Sequence, residues 1–370
     1  MQVVIMARSS FGHVTEVSPG KWRVYWSENG RRKSKTIEGK RADAELFLAY
    51  RRIDKSGNVA PSMTYAKYWE YAVVPTFEGL SQRTIYDYTR IWSVELEPRI
   101  GQKKVDETTW RYAQAVLSRI EAPSVQAHAY RTWRKVCNLA VRDGLLKSNP
   151  IDRNIHLRQV EKREKQIPTR AELANILTRA KDYKHVYLLA LEIGAGLRHE
   201  EACAVTRADI AFEDERAIVS VSKALTVAGG KVIRKDTKTA FSRRLVACGE
   251  PFRSVLEACM DRIPATVAEQ SSPVTITRNW LGYCRRNDIP HIPFGQMRTI
   301  FSVWHQQAGS VDSLVSLAMG HADGTTRGRN YTVNTLPAMR LLADGLSEWC
   351  MRDKMLRSCC AVFKKTAGQR

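Results

Sequence analysis

Apolar positions change their spacing along the chain, and each spacing predicts a different element. Residues 21–26 and 32–37 alternate apolar and polar side chains, and Glu28-Asn29-Gly30 between them is a typical hairpin turn. The next segment, 40–53, has apolar residues at helical spacing. Residues 1–57 are therefore predicted to form a small three-stranded sheet followed by a helix.

The stretch 62–152 is predicted to be helical throughout. Apolar residues recur three and four positions apart in YAKYWEYAVV, RTIYDYTRIW, TTWRYAQAVLSRI and AYRTWRKVCNLAVRDGLL. We predict a bundle of four to five helices that has one basic face and keeps its aromatic residues in the core. A densely charged segment bounded by prolines then predicts an interdomain linker at 153–166.

The largest predicted domain is 167–350, mostly helical with a β-rich segment near 210–247. Thr169 and Glu172 form a capping-box pattern that predicts the start of its first helix. Residues 351–370 are a basic tail that either docks on a neighbouring protomer or is disordered. The predicted fold class is multi-domain and mainly α, with small β elements and a mixed α/β domain.

The composition indicates a polyanionic partner. The 370-residue chain has a net charge of +21 and a pI near 9.8, and Lys and Arg displace counterions when they contact phosphates. Double-stranded DNA is the favoured partner, and a basic membrane-surface protein is the alternative. No apolar run is long enough for a membrane span or a secretory signal, and none of the 8 cysteines forms a C-x-x-C pair. These patterns favour a reduced, cytoplasmic location without structural zinc.

Basic residues of the first two domains are candidates for DNA contact. A basic sheet of this size fits a DNA groove, and the alternative is a sheet edge kept soluble by charge. The candidates are Arg23, Arg31 and Arg32 in the sheet, and Arg83, Arg131 and Arg134 in the bundle.

Two segments of the largest domain place polar residues in unusual surroundings. In IGAGLRHEEACAV, Arg198 follows a Gly-x-Gly stretch that permits close backbone approach, and Glu201 follows on the same helical face. In TKTAFSRRLVA, Lys238 lies at a turn between β-like segments. Each has a simpler explanation: an ion pair between Arg198 and Glu201, and a solvated hairpin lysine.

Two further segments lie closer to the carboxyl end. Arg298 falls in the first turn of the helix predicted for GQMRTIFSVWHQQAG. The segment GHADGTTRGRNY contains His321 and Tyr331 among small and basic residues instead of packed leucines. Taken alone, His321 is equally well explained as a cap or a packing group.

Together and in this order, these segments resemble the tyrosine recombinases of the phage-integrase family. GLRHEEACAV resembles the first arginine box of the family, and KTAFSRR resembles the Lys-Thr turn of its β-hairpin. Ala308-Gly309 and Gly320-His321 follow Arg298 at the offsets of the second box. The resemblance spans nearly the whole chain.

The same resemblance extends to the two preceding domains. Residues 62–152 resemble the core-binding domain of the family. Residues 1–57 resemble the arm-binding domain of integrases that contact extra DNA sites. The resemblance therefore implies one DNA-binding unit for arm sites and a two-domain clamp for the crossover site.

The chain departs from the family pattern at two points. Gly295 stands three positions before Arg298, where the family usually has histidine, and neither His291 nor His305 occupies the matching position. Tyr331 lies ten residues after His321, one more than usual. It is nevertheless the only tyrosine from position 284 to the end of the chain.

The resemblance implies DNA strand transfer through a 3′-phosphotyrosine intermediate. It assigns Tyr331 as nucleophile, Arg198 and Arg298 as phosphate ligands, Lys238 as proton donor, His321 as hydrogen-bond or proton partner of the phosphate, and Glu201 as the group that orients neighbouring donors. It implies no metal ion, no ATP and no other cofactor. It also implies a homotetramer on DNA that passes through a Holliday junction, possible DNA-bending and directionality factors, and a role in integrating and excising a phage or mobile element.

Three alternatives remain open at the level of the sequence. One is a DNA-binding protein of the same fold that has lost cleavage, which the glycine at 295 favours. Another is a resolvase that separates chromosome or plasmid dimers, although such proteins usually lack the N-terminal unit. The third is a type IB topoisomerase, which shares the chemistry and needs no specific site.

Overall fold

The computed structural model describes most of the chain and divides it into two compact units. The described residues are 12–28, 31–53, 63–152, 154–159, 161, 164–236, 243–321 and 335–368. The two units are 1–162 and 163–370, so the division falls within the predicted linker. The finer domain boundaries stay predictions.

The first unit begins with a three-stranded antiparallel sheet, as the alternating pattern predicts. The strands are β1 (Gly12–Ser18), β2 (Lys21–Glu28) and β3 (Arg31–Glu38), in that order, and α1 (Arg41–Ile53) follows. Val24 and Trp26, two positions apart on β2, share one face of the sheet and are buried with Ala44 of α1. The predicted turn residues 29–30 lie outside the described part of the chain.

The rest of the first unit is mainly helical, and most of its aromatic residues lie in or against the core, whereas Tyr86 and Trp110 are 37% and 48% exposed. Its helices are α2 (Tyr65–Tyr68), α3 (Gln82–Ile91), α4 (Glu97–Ile100), α5 (Trp110–Ser118) and α6 (Pro123–Arg142), and π-helical turns at Trp69–Val73 and Trp92–Leu96 continue α2 and α3. The rings of Trp69 and Trp92 stack with centroids 4.5 Å apart, and Trp133 is fully buried. These large rings bury much of the apolar area that stabilises the bundle.

The second unit opens with the capping box that the sequence predicts. Thr169 precedes α7 (Arg170–Arg179), and its backbone N–H donates to the Glu172 carboxylate at 2.7 Å. Next come α8 (Tyr187–Leu189), a π-helical turn (Ala190–Gly194) and α9 (His199–Ala202). The apolar residues of this stretch are fully buried, so it is the central layer of the unit.

Five strands occupy the predicted β-rich segment. They are β4 (Ile210–Glu213), β5 (Arg216–Val221), β6 (Lys223–Ala228), β7 (Lys231–Asp236) and β8 (Arg244–Cys248). Antiparallel strands β4, β5 and β8 form one sheet in that order, and β6 and β7 form a separate hairpin.

Six helices of the described residues complete the second unit. They are α10 (Phe252–Ala258), α11 (Pro273–Arg286), α12 (Phe294–Gln307), α13 (Asp312–Ala318), α14 (Leu336–Met351) and α15 (Lys354–Gly368). Helix α12 packs against the π-helical turn Ala190–Gly194, and β8 packs against α14. Trp280 and Trp304 are among the largest buried side chains of this core.

The carboxyl-terminal segment differs from its prediction. Instead of a disordered or externally docked tail, residues 354–368 form α15, which packs against α7 and α10 of the same chain. Leu356, Cys359 and Phe363 of α15 belong to the core of the second unit. Apolar residues at helical spacing within a basic sequence produce this packing, and the overall charge of the segment hides the pattern.

Two properties of the described residues bear on the chemistry of the chain. All eight cysteines are buried free thiols. Among the described helices, none combines the length and apolar character needed to cross a membrane.

Candidate active site

Arg198 and Glu201 meet at the start of α9. The backbone N–H of Arg198 donates to Oε2 of Glu201 at 3.0 Å, and its Nη1 donates to Oε1 at 2.8 Å. Nη2 donates to the carbonyl oxygen of Gly320 at 3.2 Å. These contacts fix the guanidinium, and since its side chain is still 43% exposed, its remaining donors face solvent.

Glu201 is buried because a second arginine, Arg244, shares its carboxylate. Nη2 of Arg244 donates to Oε2 of Glu201 at 2.8 Å, and Nε donates to the carbonyl oxygen of Ala318 at 2.6 Å. Only 1% of the Arg244 side chain and 5% of the Glu201 side chain are exposed. Glu201 thus connects the beginning of α9 to β8.

Arg244 is a site residue that the sequence reasoning missed. It begins β8 and lies on the same face as buried Val246 and Cys248, whereas Leu245 between them is 40% exposed. An arginine on the buried face of a strand requires a carboxylate or carbonyl partner. The sequence RLVAC does not itself alternate, because its exposed position holds leucine, so the inward placement of Arg244 is visible only in the folded chain.

Glycine is required at 320 because Arg244 passes close by. Gly320 has φ +61°, a left-handed conformation that other residues adopt only with strain. A Cβ there would also lie 3.0 Å from Nη1 of Arg244. The close approach lets the Gly320 carbonyl oxygen accept from Arg198, so the segment before His321 is fixed at the site.

Arg298 reaches the same place from α12. The helix begins at Phe294, so Arg298 lies one turn into it instead of in the first turn. Nη1 of Arg298 donates to the carbonyl oxygen of Gly196 at 2.9 Å, and Nη2 donates to that of Met319. Nη1 also lies 3.9 Å from Oε2 of Glu201, so Arg298 and Arg198 border the same carboxylate.

His321 is held in its neutral form by Arg298. The histidine Nε2 lies 2.9 Å from Nη2 of Arg298, and because a guanidinium only donates, Nε2 accepts. The remaining proton is then on Nδ1. Burial and the charges of Arg298, Arg198 and Arg244 lower the pKa of His321, which agrees with this protonation state.

The electrostatics of the site favour an anion. Burial opposes ionisation of Glu201, but the hydrogen bonds and charges of Arg244 and Arg198 outweigh it and lower the pKa of the carboxyl group. Burial and the charge of Arg198 lower the pKa of Arg298 to about 9, so it stays cationic at neutral pH. The single negative charge of Glu201 therefore balances only one of the three guanidinium charges beside it. The remaining positive charge attracts phosphate-like groups.

The structure brings together four of the predicted site residues, Arg198, Glu201, Arg298 and His321. Lys238 and Tyr331 lie outside the described residues, so their assigned roles stay predictions. At Gly295, a Cβ would meet no atom of the described residues within 4 Å, so nothing in that part of the chain fills the position where the family usually has histidine.

The candidate DNA-contact residues lie on two surfaces of the first unit. Arg23, Arg31 and Arg32 are exposed on β2 and β3. In the bundle, Arg83 is exposed and pairs with Asp87 at 3.0 Å, Arg131 is exposed, and Arg134 is half-buried with Nη1 3.2 Å from the Tyr130 hydroxyl. These placements are compatible with DNA contact, which stays a prediction.

Two of the bundle candidates, Arg83 and Arg131, lie near the same residue, His128. Burial and the charge of Arg131 lower the pKa of His128 on α6, and Arg83 and Arg90 of α3 lower it further. The basic residues of α3 and α6 therefore surround the same point on the bundle.

Glu201→Ala is expected to destabilise the second unit strongly. The substitution leaves the buried guanidinium of Arg244 without a carboxylate, a change that costs about 3–5 kcal/mol of unfolding free energy. Urea unfolding followed by circular dichroism measures it. Glu348→Ala, which removes a carboxylate from the exposed pair with Arg352, is the control and is expected to cost about 0–1 kcal/mol. Equal losses in both variants would contradict the role given to Glu201.

Comparisons with known proteins place this geometry in context. No protein-family model matches the chain. The integrase of Mycobacterium phage L5 is 24% identical over 318 residues, which cover 77% of this chain and 80% of that protein. The integrase of Mycobacterium phage FRAT1 is 24% identical over 316 residues, covering 75% and 90%.

Solved structures share the fold. The Tn1549 transposon integrase in complex with a circular intermediate DNA matches with a TM-score of 0.62 and 17% identity, over 77% of this chain and 100% of that chain. A lambda integrase tetramer bound to a Holliday junction matches with a TM-score of 0.53 and 14% identity, over 89% and 97%. At these identities the likeness establishes the fold, which is mainly helical with small sheets.

Proposed function

Because this chain belongs to the phage-integrase family of tyrosine recombinases, we propose that it integrates and excises a phage or mobile element by cleaving and rejoining DNA through a 3′-phosphotyrosine intermediate. The observation that carries the proposal is the convergence of Arg198, Arg298 and His321 around the Glu201 carboxylate. These groups come from α9, α12 and the segment after α13, which are far apart in the sequence. These side chains converge on a solvent-accessible, positively charged site, which supports a phosphodiester as the ligand.

Arg198 and Arg298 would bind the two non-bridging oxygens of the scissile phosphate. Planar guanidiniums donate paired hydrogen bonds to such oxygens and stabilise the charge that gathers on them in the five-coordinate transition state. His321, neutral with a proton on Nδ1, would keep Arg298 in place or donate to the phosphate. Both arginines are already oriented by backbone carbonyl oxygens, so little reorganisation accompanies binding.

The proposed covalent step exchanges one phosphate ester for another. The phenolic oxygen of Tyr331 attacks phosphorus while its proton passes to solvent water, a P–O bond to tyrosine forms, and the bond from phosphorus to the 5′-oxygen breaks. Lys238 would deliver a proton to the departing 5′-oxygen. Rejoining reverses these events with a 5′-hydroxyl as the attacking group.

The proposed reaction needs neither a divalent metal ion nor ATP. The guanidiniums supply permanent positive charge at the phosphate, and the phosphotyrosine bond conserves the energy of the broken ester.

We further propose that the chain acts on double-stranded DNA as a homotetramer. The lambda integrase with the same fold is a tetramer bound to a Holliday junction, and the Tn1549 integrase is in complex with a circular intermediate DNA. The net charge of +21 supports DNA as partner because each phosphate contact adds salt-sensitive affinity. DNA-bending and directionality factors would join this assembly on the attachment sites.

A nicked duplex that spans the junction of the integrated element tests the function. The nick lets the short 5′-hydroxyl strand diffuse away after cleavage, so the protein stays covalently attached. We expect a protein–DNA adduct that survives denaturing gel electrophoresis. Specific binding without adduct would overturn the proposed cleavage activity.

The second candidate is a DNA-binding protein of this fold that has lost cleavage. Gly295 favours it, since glycine has no side chain where the family usually has histidine, and no described residue fills that position. In that case the nicked duplex would be bound and never cleaved. The adduct assay therefore separates the two candidates directly.

Deletion of residues 1–57 is expected to spare crossover-site cleavage and to reduce integration. The second unit holds the described site residues, whereas the basic sheet β1–β3 is the predicted arm-site contact. Adduct formation on a crossover-site duplex and recombination between two plasmid-borne attachment sites are the measurements. Unchanged integration in the truncated protein would refute the arm-binding role.

A further inference from the structure

A buried acid–base pair lies directly behind the arginines. The Glu192 side chain is fully buried, and its Oε1 lies 2.7 Å from Nδ1 of His199, whose side chain is 16% exposed. Oε2 of Glu192 has no hydrogen-bond partner among the described residues. Burying a half-satisfied carboxyl group is costly, and the mechanism above does not use it.

The pair joins the two ends of segment 192–199, which contains Arg198 and contacts Arg298. Glu192 lies in the π-helical turn Ala190–Gly194, and His199 is the first residue of α9. Between them, the carbonyl oxygen of Gly196 accepts from Arg298, and Arg198 immediately precedes His199. A side-chain bond between positions 192 and 199 therefore fixes the two ends of this short segment.

The histidine ring also contacts the helix that carries the second arginine. It stacks on Phe294 at the start of α12, with ring centroids 4.4 Å apart and an interplanar angle of 19°. Phe294 lies four residues before Arg298, which places them on the same side of α12. His199 thus links the position of Arg198 to that of Arg298.

We propose that Glu192 and His199 form a clasp that positions Arg198 and Arg298 for cleavage, an inference that rests on the recombinase function proposed above. The clasp acts through the two arginines and does not touch DNA. A shift of about 1 Å at catalytic groups costs about 100-fold in rate, so a link between the arginine-bearing elements is sufficient to affect the chemistry.

The hydrogen-bond geometry requires at least one proton in the clasp. Nδ1 of His199 faces the carboxyl group of Glu192, and Nε2 lies 3.2 Å from the carbonyl oxygen of Pro273, which only accepts. Nε2 is also 3.2 Å from Oγ1 of Thr277, whose own proton goes to Pro273 at 2.9 Å. If both the carboxyl group and Nδ1 lost their protons, a ring lone pair would face a carboxylate and the clasp would open.

The surroundings keep that proton in place near neutral pH. Burial raises the pKa of Glu192 to about 7. Burial opposes charge on His199, but the hydrogen bond and charge of Glu192 outweigh it and raise the pKa of the imidazole, with a smaller contribution from Glu200. The other ionisable neighbours are Arg298, which favours an ionised Glu192, and the Cys203 thiol 3.7 Å from Nε2, whose pKa burial raises well above its ordinary value.

The sign of the pH effect follows from these directions. Because both groups have raised pKa values, the folded clasp retains a proton more readily than the separate groups do. Its contribution is present at low and neutral pH and is lost at alkaline pH, where both the raised pKa of Glu192 and the raised pKa of the His199 imidazole have been passed. Cleavage by the wild-type protein should therefore lose an increasing share of its rate at alkaline pH because the clasp opens.

Two variants test the clasp on the nicked junction duplex in single-turnover experiments. His199→Phe keeps a ring against Phe294 but leaves Glu192 without its partner, and we expect adduct formation to slow by about 10- to 100-fold with DNA affinity unchanged. Glu192→Gln keeps a hydrogen bond to the ring without the shared proton. We expect a rate within about threefold of wild type at neutral pH, and a ratio of variant to wild-type rate that rises with pH.

The control variant changes His305, another buried histidine of the second unit. His305 of α12 contacts Phe301, with centroids 4.3 Å apart, and its Nδ1 faces Ser310 at 2.9 Å. His305→Phe removes a buried imidazole without touching the clasp, and we expect unchanged cleavage even where thermal stability falls.

Each outcome separates this inference from the function on which it rests. A wild-type protein that forms no adduct overturns the function and the clasp together. Wild-type adduct with an unaffected His199→Phe overturns the clasp alone. Should His199→Phe fail to fold, Glu192→Gln decides, and a pH-independent ratio of its rate to the wild-type rate overturns the clasp.

Discussion

Tyr331→Phe is expected to abolish covalent adduct formation and leave DNA binding intact. The substitution removes the phenolic oxygen that would form the ester with phosphorus, and no other tyrosine follows position 284 in the sequence. We expect a loss of at least about 10⁴-fold, since removing a nucleophile eliminates the covalent route. Denaturing electrophoresis of the labelled nicked duplex measures adduct, and a gel-shift titration measures binding.

Tyr283→Phe provides the matched control. Tyr283 on α11 lies outside the site, and its hydroxyl group donates to the backbone oxygen of Arg179 at 3.4 Å. Its variant should form adduct at the wild-type rate. Adduct from Tyr331→Phe at an undiminished rate would show that another residue is the nucleophile.

Arg298→Lys is expected to slow cleavage by about 10²- to 10³-fold. Lysine keeps the positive charge but loses the planar fork that contacts the Gly196 carbonyl oxygen and His321 and that, in the proposed mechanism, would also bind the phosphate. The loss corresponds to one removed transition-state donor. DNA affinity should change less than threefold because this is one cationic contact among many in a strongly basic protein.

Arg207→Lys controls for loss of a guanidinium that binds the backbone. Arg207 donates to the carbonyl oxygens of Ile263 at 2.7 Å and Asp261 at 3.0 Å, away from the site. Its cleavage rate should match that of the wild type. If Arg298→Lys lost affinity and cleavage in equal proportion, Arg298 would be an anchor for DNA and not a group that stabilises the transition state.

The sequence predicted the site best where two of its residues lie a few positions apart in one motif. Arg198 and Glu201 are three positions apart, so a single helical start brings them together, and their contact follows from local geometry. Arg298 and His321 lie 23 positions apart, and the resemblance to the integrase family assigned both to one phosphate. The structure places Nη2 of Arg298 2.9 Å from Nε2 of His321, while their roles at a phosphate stay predictions. Spacing alone would not have given that contact.

Other contacts of the site could not be predicted from any local sequence pattern. Arg244 reaches Glu201 across 43 positions because β8 lies next to β5, and the strand register places its side chain inward. Glu192 lies in an otherwise apolar run, where a charged residue signals a buried partner without saying which one. Only the folded chain identifies His199 as that partner.

The carboxyl-terminal segment shows the same limit at the level of the fold. Its basic sequence suggested a tail that docks on a neighbouring protomer or is disordered, whereas Leu356 and Phe363 pack into the core and Lys364 pairs with buried Glu250 at 3.1 Å. Net charge describes what a segment presents to solvent. The apolar stripe, whose residues stand at helical spacing in the sequence, determines whether the segment packs.

The sharing of one carboxylate by several guanidiniums has an energetic consequence for the free protein. Arg198, Arg244 and Arg298 repel one another in the absence of DNA, and Glu201 offsets only part of that repulsion. If a phosphodiester binds these arginines as proposed, it would relieve the remainder, so DNA binding would raise the thermal stability of the second unit. In this account, part of the free energy of DNA binding would come from reduced repulsion among the three guanidiniums.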